Sequence, residues 1–256
     1  MESNFIFDIK DDLKSPLLVF FSTLFIYNLG YYRTILFNGE PQRGSAEWMK
    51  KHSSYWIFSI LFSLLAIIYI FSSFSIKSQA IVGILSLFSF LYIIHEIKFT
   101  RFTLSIRSIP VFKLVLVSGI WMLVTILPQL VEHDLFESQV AWQTLMAERF
   151  LFILPITMIF DVRDMESDPI DLKTLPKLTS VAFTKGLAIL SLALAYFFFY
   201  NLQFPSLIDI IMLLLYLAML VTILYSKSSR GELYYSGWFD ALMGLHALII
   251  IGYYLA

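Results

Sequence analysis

The residues best able to do chemistry lie in one short segment. Residues 159–176 read IFDVRDMESDPIDLKTLP. Asp161, Asp164 and Asp168 fall at i, i+3 and i+7, so they share one helical face if the helix continues that far. Glu166 and Asp171 add further negative charge. A helix C-terminus already carries partial negative charge, so each acid placed there costs about 0.3–1 kcal/mol. Crowding like charges adds to that cost. A hard divalent cation reverses both penalties, and Mg²⁺ is held in this way by one or two carboxylates, waters and substrate phosphates. The competing reading is a solvated acidic loop neutralised locally by Arg163, Lys173 and Lys177, as charge runs usually are.

A basic counterpart follows the third apolar stretch: Lys98, Arg101, Arg107 and Lys113. Facing a metal-loaded acidic cluster, such residues would clamp a diphosphate, with Lys98 and Arg101 best placed. Orientation in a membrane and snorkelling explain the same residues without any function. Other ionisable groups are weaker candidates. His95 and Glu96 are adjacent and so do not share a helical face. Glu148 and Arg149 form a buried or interfacial charge pair. His246 and Asp240 offer either a polar track or helix–helix hydrogen bonding, and the second is preferred. Pro155 and Pro128 are expected to kink the helices that carry them.

The elements that must position these groups are membrane helices. The chain has 256 residues, 59% hydrophobic and only 14% charged, against about 25% charged in a soluble domain. A net charge of −1 argues against a nucleic-acid partner, which needs a basic surface. The absence of cysteine removes disulfides and thiolate chemistry. Crossing a bilayer takes about 20 apolar residues. Eight segments qualify, at 16–37, 55–74, 79–97, 109–131, 142–160, 181–200, 206–226 and 237–256. No strand alternation is present, so the fold class is an all-α polytopic bundle in a single transmembrane domain, residues 1–256.

Charge in the loops sets the orientation. Loops after spans 1, 3, 5 and 7 hold eleven basic residues: Arg43, Lys50, Lys51, Lys98, Arg101, Arg107, Arg163, Lys173, Lys177, Lys227 and Arg230. The other face has only Lys10, Lys14 and Lys77. The positive-inside rule therefore makes the odd-numbered loops cytoplasmic, with both termini outside. The acidic start, MESNFIFDIKDDLKS, lacks the basic region of a cleavable signal peptide. The expected location is a bacterial inner membrane, with the acidic segment facing the cytoplasm.

The run DVRDMESD followed by KTLP resembles the second aspartate-rich motif of the UbiA superfamily of intramembrane prenyltransferases. LFIYN at 24–28, Tyr92 before Lys98, and Ile109-Pro110 with Lys113 and Trp121 extend the resemblance over most of the chain. It implies transfer of an isoprenyl group from its diphosphate to a lipophilic acceptor, with Mg²⁺ on Asp161, Asp164 and Asp168. Asn28, Lys98 and Arg101 would position the diphosphate, and no nucleophilic side chain is needed. The family has nine helices and a cytoplasmic N-terminus; span 1 here would match its second helix and span 5 its sixth. The family's first motif is an Asn followed by Asp four and eight residues on. Asn28 matches, but Tyr32 and Leu36 stand at the two Asp positions, leaving Glu40 and Glu47 as the nearest acids. Two other readings follow. One is a catalytically degenerate relative that binds an isoprenoid or quinone, or serves as a membrane-assembly subunit with a protein partner. The other is a small transporter using His95, Glu96, Glu148 and His246.

Overall fold

The computed structural model describes residues 3, 6, 7, 9, 12–38, 51–93, 97–99, 102–104, 110–137, 142–166, 173–231 and 233–255, with 31–38, 91–93, 97–99, 102–104 and 110 as backbone only. Its long helices are α1 (Lys14–Asn38), α2 (Ser53–Ser72), α3 (Ile76–Ile93), α4 (Pro110–Glu132), α5 (Trp142–Asp164), α6 (Val181–Tyr200), α7 (Ser206–Tyr225) and α8 (Asp240–Leu255). A one-turn helix, Leu175–Leu178, precedes α6, and a π-helical segment, Leu233–Phe239, runs into α8. Each helix lies within a few residues of an expected apolar segment. Among the described residues, five helical segments are long and apolar enough to cross a bilayer: Ser53–Ser72, Val111–Glu132, Val181–Tyr200, Ser206–Tyr225 and Leu233–Leu255. The chain is thus a helical protein with the makings of a multi-pass membrane protein.

Two local features differ from the sequence expectation. The third helix ends at Ile93 rather than continuing to 97. After it, Ile97–Phe99 (β1) and Phe102–Leu104 (β2) form an antiparallel hairpin in the register Ile97↔Leu104, Lys98↔Thr103 and Phe99↔Phe102. Three-residue strands of aromatic and β-branched residues suffice for such a hairpin, although they are too short to show as an alternating pattern. Lys98 therefore sits on a strand, paired with Thr103, rather than on a helix.

The helices alternate in direction, and contacts at each end show it. At one end Glu132 of α4 accepts from Ser75 N (3.0 Å) and Ser78 Oγ (2.7 Å), with Lys14 Nζ 4.0 Å away; His133 Nε2 and Asp12 Oδ2 lie 2.9 Å apart beside them. These contacts gather the start of α1, the α2–α3 turn and the end of α4. At the other, basic end, Lys185 Nζ donates to Leu224 O (2.9 Å) and Ser226 O (2.7 Å), a cation on the electronegative C-terminus of α7.

Helix α5 is the centre of the bundle, packed on α4 and α6. Its sequence explains why. It carries Glu148, Arg149, Asp161, Arg163 and Asp164, and charged side chains at membrane depth are tolerated only facing the protein interior. Leu145, Phe152, Ile153, Ile156, Ile159 and Val162 of α5 bury into one core with residues of α4, α6, α7 and α8. By contrast α2 turns Tyr55, Phe58, Leu65 and Tyr69 outward, each at least 67% exposed, as a lipid-facing helix does. Leu18, Ile70, Phe74 and Val82 hold the α1–α3 group together in a smaller cluster.

Pro155 lies inside α5. It has no N–H, so Leu151, four residues earlier, loses its normal helical donor. Ser191 Oγ of α6 donates to Leu151 O at 2.8 Å, which is how a neighbouring helix re-satisfies a proline-freed carbonyl in a membrane. The defect in one helix thereby becomes a tie between two.

Candidate functional site

The acidic segment begins where α5 reaches the basic end of the bundle. Asp161 is three residues in from the end of α5 and is buried, 2% exposed. Lys113 is three residues in from the start of α4, at the same depth. Its ammonium donates to Asp161 Oδ1 across the α4–α5 interface, with the Lys side chain 12% exposed. Asp164, one turn later, accepts two hydrogen bonds from Arg163, Nε at 2.8 Å and Nη2 at 2.9 Å. Such two-pronged pairing is the strong form of a carboxylate–guanidinium contact. Arg163 in turn lies 4.6 Å over the Phe160 ring and 5.9 Å from that of Tyr235.

Tyr235 fixes the neighbouring loop. Its hydroxyl donates to Lys227 O (2.6 Å) and accepts from Lys227 N (3.1 Å), and Ser228 Oγ donates to Glu166 at 2.6 Å. The loop after α7 is thus bound to the end of α5, and the π-helical segment adds Tyr235 to the ring of Phe160 beneath Arg163. Asp168 and Asp171 lie outside the described residues, as do Glu40, Glu47, Arg101, Arg107, His95 and Glu96.

Asn28 has a different setting. Its Nδ2 donates to Ser59 Oγ (3.2 Å) and its Oδ1 accepts from Trp56 Nε1 (2.7 Å), both on α2. The amide thus ties α1 to α2. Lys98 is described only as backbone, paired with Thr103. Among the sequence candidates, then, Asp161 and Asp164 share the end of α5, and their cations are Lys113 and Arg163.

The acids suit a hard cation by donor type, since Mg²⁺ prefers carboxylate oxygen. Asp161 already holds a positive group, the Lys113 ammonium, and Asp164 holds a guanidinium. These four charges sum to zero, so a divalent ion would take the place of those cations. Among the described residues no group of three His, Cys, Asp or Glu side chains stands close enough to bind a metal.

A second polar group lies deeper in the bundle. Glu148 and Arg149 of α5, Tyr216 of α7 and His246 of α8 meet in the core, with residue exposures of 0%, 8%, 4% and 1%. Tyr216 Oη donates to Glu148 Oε1 at 2.7 Å, His246 Nε2 is 3.2 Å from the same oxygen, and Arg149 Nη1 is 3.3 Å from His246 Nδ1. The preference for interhelical bonding of His246 over a track to Asp240 is met, for His246 turns to α5. Tyr216 carried no mark in the sequence beyond being a polar aromatic in mid-span.

Comparison with known protein families, curated proteins and solved structures finds no match to this chain.

Proposed function

We propose that this chain is an integral membrane protein of eight transmembrane helices and UbiA type, which transfers an isoprenyl group from its diphosphate to a lipophilic acceptor. The observation that carries the reading is the buried Asp161–Lys113 contact at the basic end of α4 and α5, one turn from the Asp164–Arg163 pair. A carboxylate and an ammonium at that depth give a site able to exchange partners when a charged ligand arrives. The basic end faces the cytoplasm, by the positive-inside rule, which puts the site on the side of a bacterial inner membrane where a soluble diphosphate donor arrives. A reporter fused after Ala256 that is active only in the cytoplasm should stay silent; strong activity rejects this orientation.

Lys113 and Arg163 exchange their carboxylates for oxygens of the diphosphate and orient it. The carbon–oxygen bond breaks with its electron pair going to the departing diphosphate. The acceptor attacks the resulting allylic cation and loses a proton to water. Asp161, Asp164 and Asp168 are the residues that would hold Mg²⁺, whose chemistry there is to draw charge from the diphosphate oxygens.

One observation favours the degenerate-relative reading instead. The Asn28 amide is engaged with α2, and positions 32 and 36 supply Tyr and Leu rather than carboxylates. The two readings separate on farnesyl diphosphate and MgCl₂ with the protein in lipid vesicles. Binding is expected, weakened about 10–100-fold in Lys113→Met, the worth of a charge-assisted hydrogen bond. Binding without release of diphosphate selects the degenerate relative. Equal binding by Lys113→Met, or none by the wild type, removes the prenyl-diphosphate reading.

A further inference from the structure

The Glu148–Arg149–Tyr216–His246 group takes no part in the proposed reaction. Asp161 is 13 residues further along α5 than Glu148, about 20 Å at 1.5 Å per residue. Apolar side chains would fill the space without loss, because replacing a buried ion pair by well-packed hydrophobic residues is often neutral or stabilising. Ionisable residues retained at membrane depth are functional candidates by default.

The geometry determines where the protons lie. Arg149 can only donate, so His246 Nδ1 accepts from Arg149 Nη1 and the ring proton sits on Nε2, facing Glu148 Oε1. His246 is then neutral, Glu148 and Arg149 are opposite charges 3.7 Å apart, and the group is neutral as a whole. The His246 ring is enclosed by Phe152 (4.5 Å between centroids), Tyr216 (6.0 Å) and Phe199 (6.1 Å). These rings shield the group from the lipid side.

We propose that Glu148, held by Tyr216 and His246, is a proton-binding site inside the membrane core, loaded from the less basic end of the bundle. Polar groups mark the approach. Asp209, in the first turn of α7, has a buried Oδ1 without a hydrogen-bond partner. Between it and the core, the ring of Tyr196 of α6 packs against Tyr216 at 5.4 Å. Tyr216 delivers its hydroxyl to Glu148. The remaining ionisable groups on α4, Lys113 and Glu132, sit at its two ends with other partners. A proton from water at that end adds to the Glu148 carboxylate and leaves Arg149 as the net charge of the group. Arg149 is the most exposed of the four, and its seven-residue distance from the start of α5 is about 10 Å. It can therefore release Glu148 and extend its guanidinium toward the interface, as long basic side chains do near helix ends.

The test is pH-difference infrared spectroscopy of the full chain in lipid vesicles. Acidification from about pH 8 to 5, the range over which biological proton sites work, should produce the carbonyl band of a protonated carboxylic acid. Glu148→Gln should lose that band while keeping the helical circular dichroism of the wild type. Tyr216→Phe, which preserves volume, should retain the band but displace its appearance by about one pH unit, the worth of one hydrogen bond. No band in the wild type, an unchanged band in Glu148→Gln, or an unmoved band in Tyr216→Phe each overturns the proposal and leaves the group a structural lock.

Discussion

Arg149→Leu is expected to destabilise the protein by about 3–5 kcal/mol, the usual result of removing one partner of a buried ion pair. Glu148 has no exposure at all, and Arg149 is both its counter-charge and the donor that fixes the His246 ring. Without the guanidinium, Glu148 must either keep an uncompensated charge in the core or take up a proton, and either state costs free energy. His246 also loses the donor to Nδ1, so its ring is free to turn and the tie between α5 and α8 weakens. Glu148→Leu combined with Arg149→Leu removes both charges, and should recover most of the loss because no charge is left behind. Unfolding in mixed detergent micelles, followed by circular dichroism, measures both. If the double variant is no more stable than Arg149→Leu, the loss comes from packing of the long side chain and the ionic account fails.

How much of this was legible beforehand depends on what a periodic pattern carries. The positions of the helices were readable because length and hydropathy fix where a chain can cross a bilayer. Thus 181–200 and 206–226 coincide almost residue for residue with Val181–Tyr200 and Ser206–Tyr225. Which way each helix faces was not readable. In a membrane the lipid side and the core side are both apolar, so the stripe that orients a helix in water is lost. Leu192 and Leu194 of α6 are the same residue type, yet the first is buried and the second 42% exposed. Charged residues are the exception: Glu148, Arg149 and Asp161 cannot face hydrocarbon, and all three lie on α5, the helix the structure puts at the centre.

The partners of those charges were the harder part. Lys113 stands 48 positions from Asp161, and Arg149 stands 97 from His246. Matching depth was available for the first pair, since each lies three residues from a helix end at the same membrane face. Depth alone does not single out the pair, because membrane orientation also explains a basic residue there. For Asn28 the family resemblance implied a diphosphate-binding role, and the structure shows its amide bonded to Trp56 and Ser59 one span later. A membrane interior offers no water to compete for an amide, so a helix neighbour with polar groups at the same depth takes it.

Asp161→Asn should lower Mg²⁺-dependent release of diphosphate by about 10²–10³, the effect of removing one positioned electrostatic group. That loss alone is ambiguous. Asp161 also compensates Lys113, which is 12% exposed on its side chain, and an uncompensated ammonium would loosen the α4–α5 interface. The ambiguity is removed by replacing the pair together. In Lys113→Met with Asp161→Leu, no charge is left unpaired and the apolar stems keep most of the packing, so stability should stay close to that of the wild type. A purely structural ion pair predicts that this variant also releases diphosphate as the wild type does. The proposed function predicts the opposite, a folded protein with release reduced at least as far as in Asp161→Asn, because the carboxylate and the cation that exchange partners with the ligand are both gone. Farnesyl diphosphate with a lipophilic acceptor extracted from the host membrane supplies the assay, with released diphosphate as the readout. A folded double variant that keeps full release would show that the Asp161–Lys113 pair only joins α4 to α5, and the prenyl transfer reading would lose the observation that carries it.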